Sequence, residues 1–102
     1  MYELKPERTF LADYRAFKRE HPELIHDLRA ALDELAAHGR VSEGYRPHVL
    51  DNPGGNYNGC IDFHIGEDEV DVVVLYIPHR SNPVIRLVRI GVHDKLFRGP
   101  MR

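Results

Sequence analysis

Residues 70–77 constrain this chain more than any others: Val70, Val72, Val73, Val74, Leu75, Tyr76 and Ile77 are apolar, and Asp71 is the one break. An apolar run of this length, rich in β-branched residues, reads as a strand covered on both faces, hence as the centre of a sheet. It is far shorter than the roughly 20 residues of a membrane-spanning helix. A central strand needs neighbours on both edges and a layer packed against it.

The flanking sequence supplies the neighbours. Residues 60–65 alternate, so that Ile61, Phe63 and Ile65 fall on one face and Cys60, Asp62 and His64 on the other. Residues 66–69 read as an acidic turn, residues 78–83 as a proline-bounded turn, and residues 84–92 as the third strand of a meander. Residues 2–5 suit a short first strand. Gly91 leads into HDKLFRG, enough for one short helical turn at the end.

The packing layer comes from the first half. Thr9 is the expected N-cap of a helix over residues 10–20, with Phe10, Tyr14 and Phe17 at helical spacing. His21-Pro22 ends it and opens a second helix, because proline disfavours helical geometry in its predecessor yet fits a first turn. There Ile25, Leu28, Leu32 and Leu35 share a face, and Gly39 is the C-cap. Residues 39–55 read as a long loop, a place where small domains tend to carry function. The expected architecture is α+β: a short N-terminal strand and a helical hairpin packed on a mostly antiparallel sheet.

With 102 residues, 42% of them hydrophobic and 29% charged, the chain suits one globular domain over residues 1–102 and excludes disordered and fibrous classes. The opening MYELKPERTF lacks an apolar signal region, so a cytoplasmic location without membrane contact is expected. Cys60 is the lone cysteine, which excludes an internal disulfide and reads as a small buried strand residue. The net charge of −2 does not favour phosphate binding, but the end of the chain is locally basic: Arg86, Arg89, Lys95, Arg98 and Arg102 face only Asp94.

Seven histidines are a high count, and histidine takes and gives protons near neutral pH. Asp62 and His64 share a strand face, Asp71 opens the next strand and His93 follows the last, so all can reach one end of the sheet. A carboxylate holds an imidazole in one tautomer and makes it a better base; a second histidine can serve as acid. Cleavage of RNA by its own 2′-hydroxyl needs such a pair and no cofactor or metal. The same donors would also suit a first-row divalent metal, and their spacing alone leaves both readings open. His21, His26, His38 and His79 read as boundary, solvated-helix or turn residues, and the sequence assigns no role to Tyr45 or Arg46.

Four stretches in order carry a resemblance: His48-Val49-Leu50, GGNYNGCIDFH ending at His64, DVVVLY from Asp71 to Tyr76, and RIGVHDKLF from Arg89 to Phe97. The chain resembles the YafQ branch of the RelE toxin superfamily over nearly its whole length. The resemblance implies a RelE-like fold and the toxin of a type II toxin-antitoxin system, a metal-independent endoribonuclease cutting mRNA in the ribosomal A site. It further implies neutralisation by a cognate RelB/DinJ-like antitoxin, with DNA reached only through that antitoxin. Carried across, it makes His48, Asp62, His64, Asp71 and His93 the catalytic cluster, with Arg89 and Phe97 as substrate contacts; Lys95 and Tyr57 are further candidates, Tyr57 reading as readily as a core or loop anchor. Arg89 is then the candidate phosphate cation and Phe97 a base-stacking ring. Two alternatives of the same fold remain: a ParE-like toxin that binds gyrase without chemistry, and a degenerate toxin kept for its antitoxin.

Overall fold

The computed structural model describes residues 1–50, 59–66, 71–78 and 83–92. Among these the order is β1 (Glu3–Pro6), α1 (Arg8–Glu20), α2 (Ile25–His38), β2 (His48–Val49), β3 (Ile61–Ile65), β4 (Val72–Ile77) and β5 (Val84–Val92). Short 3₁₀ turns at Pro22–Leu24 and Glu43–Tyr45 join them. The strands form one sheet in the order β1-β5-β4-β3-β2, parallel between β1 and β5 and antiparallel elsewhere.

β4 lies at the centre, as its unbroken apolar run requires, and its residues from Val72 to Tyr76 are essentially inaccessible to water. Val72, Val74 and Tyr76 join Phe63, Ile65, Ile85, Leu87 and Ile90 in the main core against the helices. Phe10 and Phe17 of α1 and Leu28, Ala31 and Leu35 of α2 complete it, with Tyr14, Ile25 and Leu32 half-buried at its margin. Val73 and Leu75 point to the other face, where a smaller cluster holds them with Cys60, Val88 and Leu50. No helix among the described residues is long and apolar enough to cross a membrane.

Three local features differ from the sequence expectation. Thr9 is not the cap of α1. The helix starts at Arg8 behind an extended Glu7, and Thr9 Oγ1 donates instead to the carbonyl of Val88 at 2.6 Å. Val88 is the extra residue of a β-bulge, for Leu75 lies opposite Arg89 while Tyr76 lies opposite Leu87. β1 pairs with β5 only as far as Leu87, and beyond it α1 covers that edge: Glu7 N–H donates to Leu87 O (2.8 Å), and Ile90 N–H to Asp13 Oδ2 (3.1 Å).

Secondly, Pro22 opens a 3₁₀ turn and the α-helix proper begins at Ile25. That helix ends as expected at Gly39, with φ of 76° and its N–H on Leu35 O at 2.8 Å. A Cβ at Gly39 would come within 2.7 Å of the Tyr2 ring, so both backbone and neighbour demand glycine. Thirdly, the loop expected over residues 39–55 contains β2, whose pairing with β3 is prolonged by Leu50 N–H to Cys60 O at 2.8 Å. The expected C-terminal helical turn lies outside the described residues.

Candidate active site

Strand register assembles the site. His48 on β2 lies opposite Asp62 on β3, Asp62 opposite Leu75 on β4, and Leu75 opposite Arg89 on β5. Directly opposed residues share a face, so these four form one row across the sheet, on the side away from the helices. His64, Val73 and Gly91 form the next row. The Val88 bulge decides the membership of Arg89, since one residue fewer would turn it to the helix side.

Asp62 is the buried charged group of the described residues, 1% exposed. His48 Nδ1 is 2.9 Å from its Oδ1, and His64 Nε2 lies 3.7 Å from the same oxygen. His64 Nδ1 in turn is 2.7 Å from Asp71 Oδ1. The two imidazoles stack with ring centres 5.9 Å apart and planes 18° from parallel. The result is a relay of alternating imidazole and carboxylate: His48, Asp62, His64, Asp71.

Burial separates the two histidines. The His48 side chain is 56% exposed and that of His64 only 11%. An N–H on His48 Nδ1 donated to the Arg46 carbonyl at 3.3 Å, with the Asp62 carboxylate 2.9 Å away, leaves the lone pair on Nε2, the tautomer a general base requires. His64 lies between two carboxylates: its Nδ1 hydrogen-bonds Asp71, while the buried Asp62 Oδ1, 3.7 Å from Nε2, faces the imidazoles as a charge.

Beside His64 opens a cleft of about 450 Å³ lined by Asp27, Gly44, Tyr45, Arg46, His64, Ile65 and Gly66. Arg46 has φ of 53°, the left-handed region rarely used by residues other than glycine. Its Nη2 is 3.6 Å from Asp71 Oδ1, and its carbonyl oxygen is 3.3 Å from His48 Nδ1. The Tyr45 ring meets Phe63 edge-on at 6.0 Å, and its hydroxyl is pushed above its ordinary 10.0 by burial and then by the carboxylates of Glu34 and Asp27. Cys60, immediately before β3, has its thiol pushed up by burial and then by Glu7, so it is a poor nucleophile and a poor ligand at neutral pH.

Sequence reasoning brought together His48, Asp62, His64 and Asp71, and the structure does the same. Arg89 shares their face, but its guanidinium reaches the sheet edge, where Nε and Nη2 clasp the Asp13 carboxylate, the latter at 3.0 Å from Oδ1. Asp13 was invisible as its partner because the two lie 76 residues apart. His93, Lys95, Phe97 and Tyr57 lie outside the described residues. Arg46 received no role from the sequence; the available signal was an arginine two positions before His48 in a loop.

His48, Asp62 and His64 could also hold a metal ion, since one ligand atom from each lies within 4.8 Å of the others. Two imidazoles and a carboxylate suit zinc or copper.

Comparison with solved structures finds the same fold in bacterial toxins. YafQ from E. coli strain BL21(DE3) superposes with a TM-score of 0.74 at 18% identity, covering 94% of this chain and 98% of that one. The metal-bound toxin from Helicobacter pylori gives 0.75 at 23% identity, covering 95% and 100%. The toxin chain of the E. coli DinJ-YafQ complex gives 0.73 at 18%, covering 94% and 98%. No curated protein matches the sequence. The family description "Bacterial toxin of type II toxin-antitoxin system, YafQ" matches residues 2–98. Two helices on a five-stranded sheet, an imidazole-carboxylate relay on the sheet face away from them and this match over nearly the whole chain agree: the protein belongs to the YafQ family of type II toxin-antitoxin toxins.

Proposed function

We propose that this toxin is a metal-independent endoribonuclease that cuts mRNA in the ribosomal A site and thereby stops translation and growth. The observation that carries the reading is the relay His48, Asp62, His64, Asp71, in which an exposed imidazole is oriented by a buried carboxylate.

In the proposed reaction His48 Nε2 takes the proton of a 2′-hydroxyl and the 2′-oxygen attacks the adjacent phosphorus. The 5′-oxygen departs with a proton from His93, leaving a 2′,3′-cyclic phosphate and a 5′-hydroxyl. The Arg46 carbonyl and the Asp62 charge together set the His48 tautomer, and Asp71 fixes the ring of His64. His93 as acid, Phe97 as a stacking ring and Lys95 as an RNA contact rest on the RIGVHDKLF stretch and its resemblance, and Tyr57 as an RNA contact on the GGNYNGCIDFH stretch. A cognate antitoxin of the DinJ kind neutralises the toxin and alone brings it to DNA; the E. coli DinJ-YafQ and Staphylococcus aureus YoeB-YefM complexes support such a partner.

The metal-binding geometry of His48, Asp62 and His64 and the metal-bound Helicobacter relative favour a second reading, in which an ion activates water. One experiment separates the readings: induce wild type, His48→Ala and His93→Ala in a bacterial host, follow growth, and map ends on a translated transcript. A parallel cell-free translation assay contains a chelator. Wild type is expected to arrest growth and to cut with or without chelator, and each alanine variant to lose about 10²–10⁴-fold. Cleavage abolished by chelation would install the metal reading, and arrest by all three proteins without cuts would point to a protein target such as gyrase.

A further inference from the structure

We propose that Arg46 is the cation that grips the phosphate at the cleavage point, and that the cleft it lines with His64 seats the neighbouring nucleotide. This rests on the ribonuclease reading for its chemistry, though not for its binding.

The pentavalent phosphorus of RNA cleavage carries charge on its non-bridging oxygens, and a preorganised donor there is among the larger contributions to rate. The motif resemblance offers Arg89. Its guanidinium, however, is clasped through Nε and Nη2 by Asp13, and the same carboxylate takes the Ile90 N–H. Moving Arg89 to a phosphate would strand a carboxylate whose side chain is only 17% exposed and undo a contact that binds α1 to β5.

Arg46 has the opposite character. Its side chain is 64% exposed, and its one described ion pair, to the half-exposed Asp71, is a single contact of 3.6 Å. Exposed pairs of this kind contribute little and are exchanged readily for another anion. Its backbone is nevertheless held on both sides: the N–H donates to the Glu43 carbonyl at 2.9 Å, and the carbonyl lies 3.3 Å from His48 Nδ1. The residue thus touches both ends of the relay, the exposed base through its backbone and Asp71 through its guanidinium.

The cleft has room for a nucleoside at about 450 Å³, with Tyr45 and the Asp27 carboxylate among its lining. Asp27 disfavours a second phosphate there and accepts from base N–H groups, so the cleft fits a base while Arg46 holds the phosphate. Binding would draw the guanidinium from Asp71 toward the RNA without disturbing the 2.7 Å contact between Asp71 and His64.

The test compares wild type, Arg46→Ala, Arg46→Lys and Arg89→Ala by rate of transcript cleavage during cell-free translation. Alongside, fluorescence anisotropy follows each protein on an RNA oligonucleotide made uncleavable by 2′-deoxy substitution, across a salt series. Arg46→Ala is expected to cut about 100-fold more slowly, with Arg46→Lys recovering part of the rate. It should also lose about 0.7 from the slope of log affinity against log salt, the share of one single-strand phosphate contact. Arg89→Ala should instead lower the melting temperature. An Arg46→Ala protein that cuts within twofold of wild type, or binds with unchanged affinity and salt slope, overturns the proposal. If wild type does not cut at all, the ribonuclease reading fails, and the anisotropy series alone then decides whether Arg46 holds phosphate.

Discussion

The identity of one atom, the proton on His48 Nδ1, determines whether the exposed imidazole can act as a base. The Arg46 carbonyl at 3.3 Å can only accept and the Asp62 carboxylate 2.9 Å away favours positive charge beside it, so together they place the proton there. Asp62→Asn changes shape little but can turn an N–H toward His48, reversing the tautomer and removing the lone pair from Nε2. The expected outcome is cleavage about 10²–10⁴-fold slower with the circular dichroism spectrum unchanged. Asp62→Asn with wild-type cleavage and an unaltered pH-rate profile would remove the carboxylate's positioning role. Most of this relay was legible in the sequence, because strand alternation alone puts Asp62 and His64 on one face. What alternation cannot show is which arginine is engaged: Arg89 and Asp13 meet across 76 residues of chain, and Arg46 owes its setting to a left-handed turn that nothing in its side chain announces.

Among the elements, α1 covers the end of β5 that β1 leaves unpaired, and Asp13 carries much of that contact. Its carboxylate receives the Arg89 guanidinium and the Ile90 N–H in surroundings largely shielded from water, 17% and 21% exposed for the two side chains. Asp13→Ala leaves a guanidinium and a backbone donor without that acceptor, a loss of about 3 kcal/mol. In a domain of this size the melting temperature should fall by roughly 10–20 °C. A shift below 3 °C in calorimetry would show the contact to be dispensable. Helix and strand types were readable because apolar periodicity is set locally: both helices, β3, β4 and β5 stand where the pattern puts them. β2 was not, since two residues are too few to show alternation, and its strand character comes from pairing with β3. Thr9 misled for a related reason: its hydroxyl satisfies a carbonyl bared by the Val88 bulge, which sequence does not reveal.

At the scale of the whole molecule, burial of β4 on both faces links the sheet's stability to alkaline pH. Tyr76 lies in the main core and Cys60 in the smaller cluster behind it, and burial pushes both groups above their ordinary values of 10.0 and 9.0. The folded state therefore keeps protons that the unfolded chain releases. Below about pH 8 both states hold them and stability does not depend on either group. As pH rises through 9 the unfolded thiol ionises while the folded one does not, and stability declines, by at most about 1.4 kcal/mol per pH unit for that group. Above pH 10 the Tyr76 phenol adds to the slope, and the decline continues until the raised folded values are passed. Urea midpoints at pH 7, 9, 10 and 11 should be level to about pH 8 and then fall with increasing steepness. In Cys60→Ala the decline should start nearly one unit later, because only the phenol remains. Equal onset in the two proteins would mean that the thiol senses no burial and that the smaller cluster is open to water. Leu75 of that cluster stands in the row between Asp62 and Arg89, so the cluster's closure also supports the low-dielectric surroundings in which Asp62 faces His48.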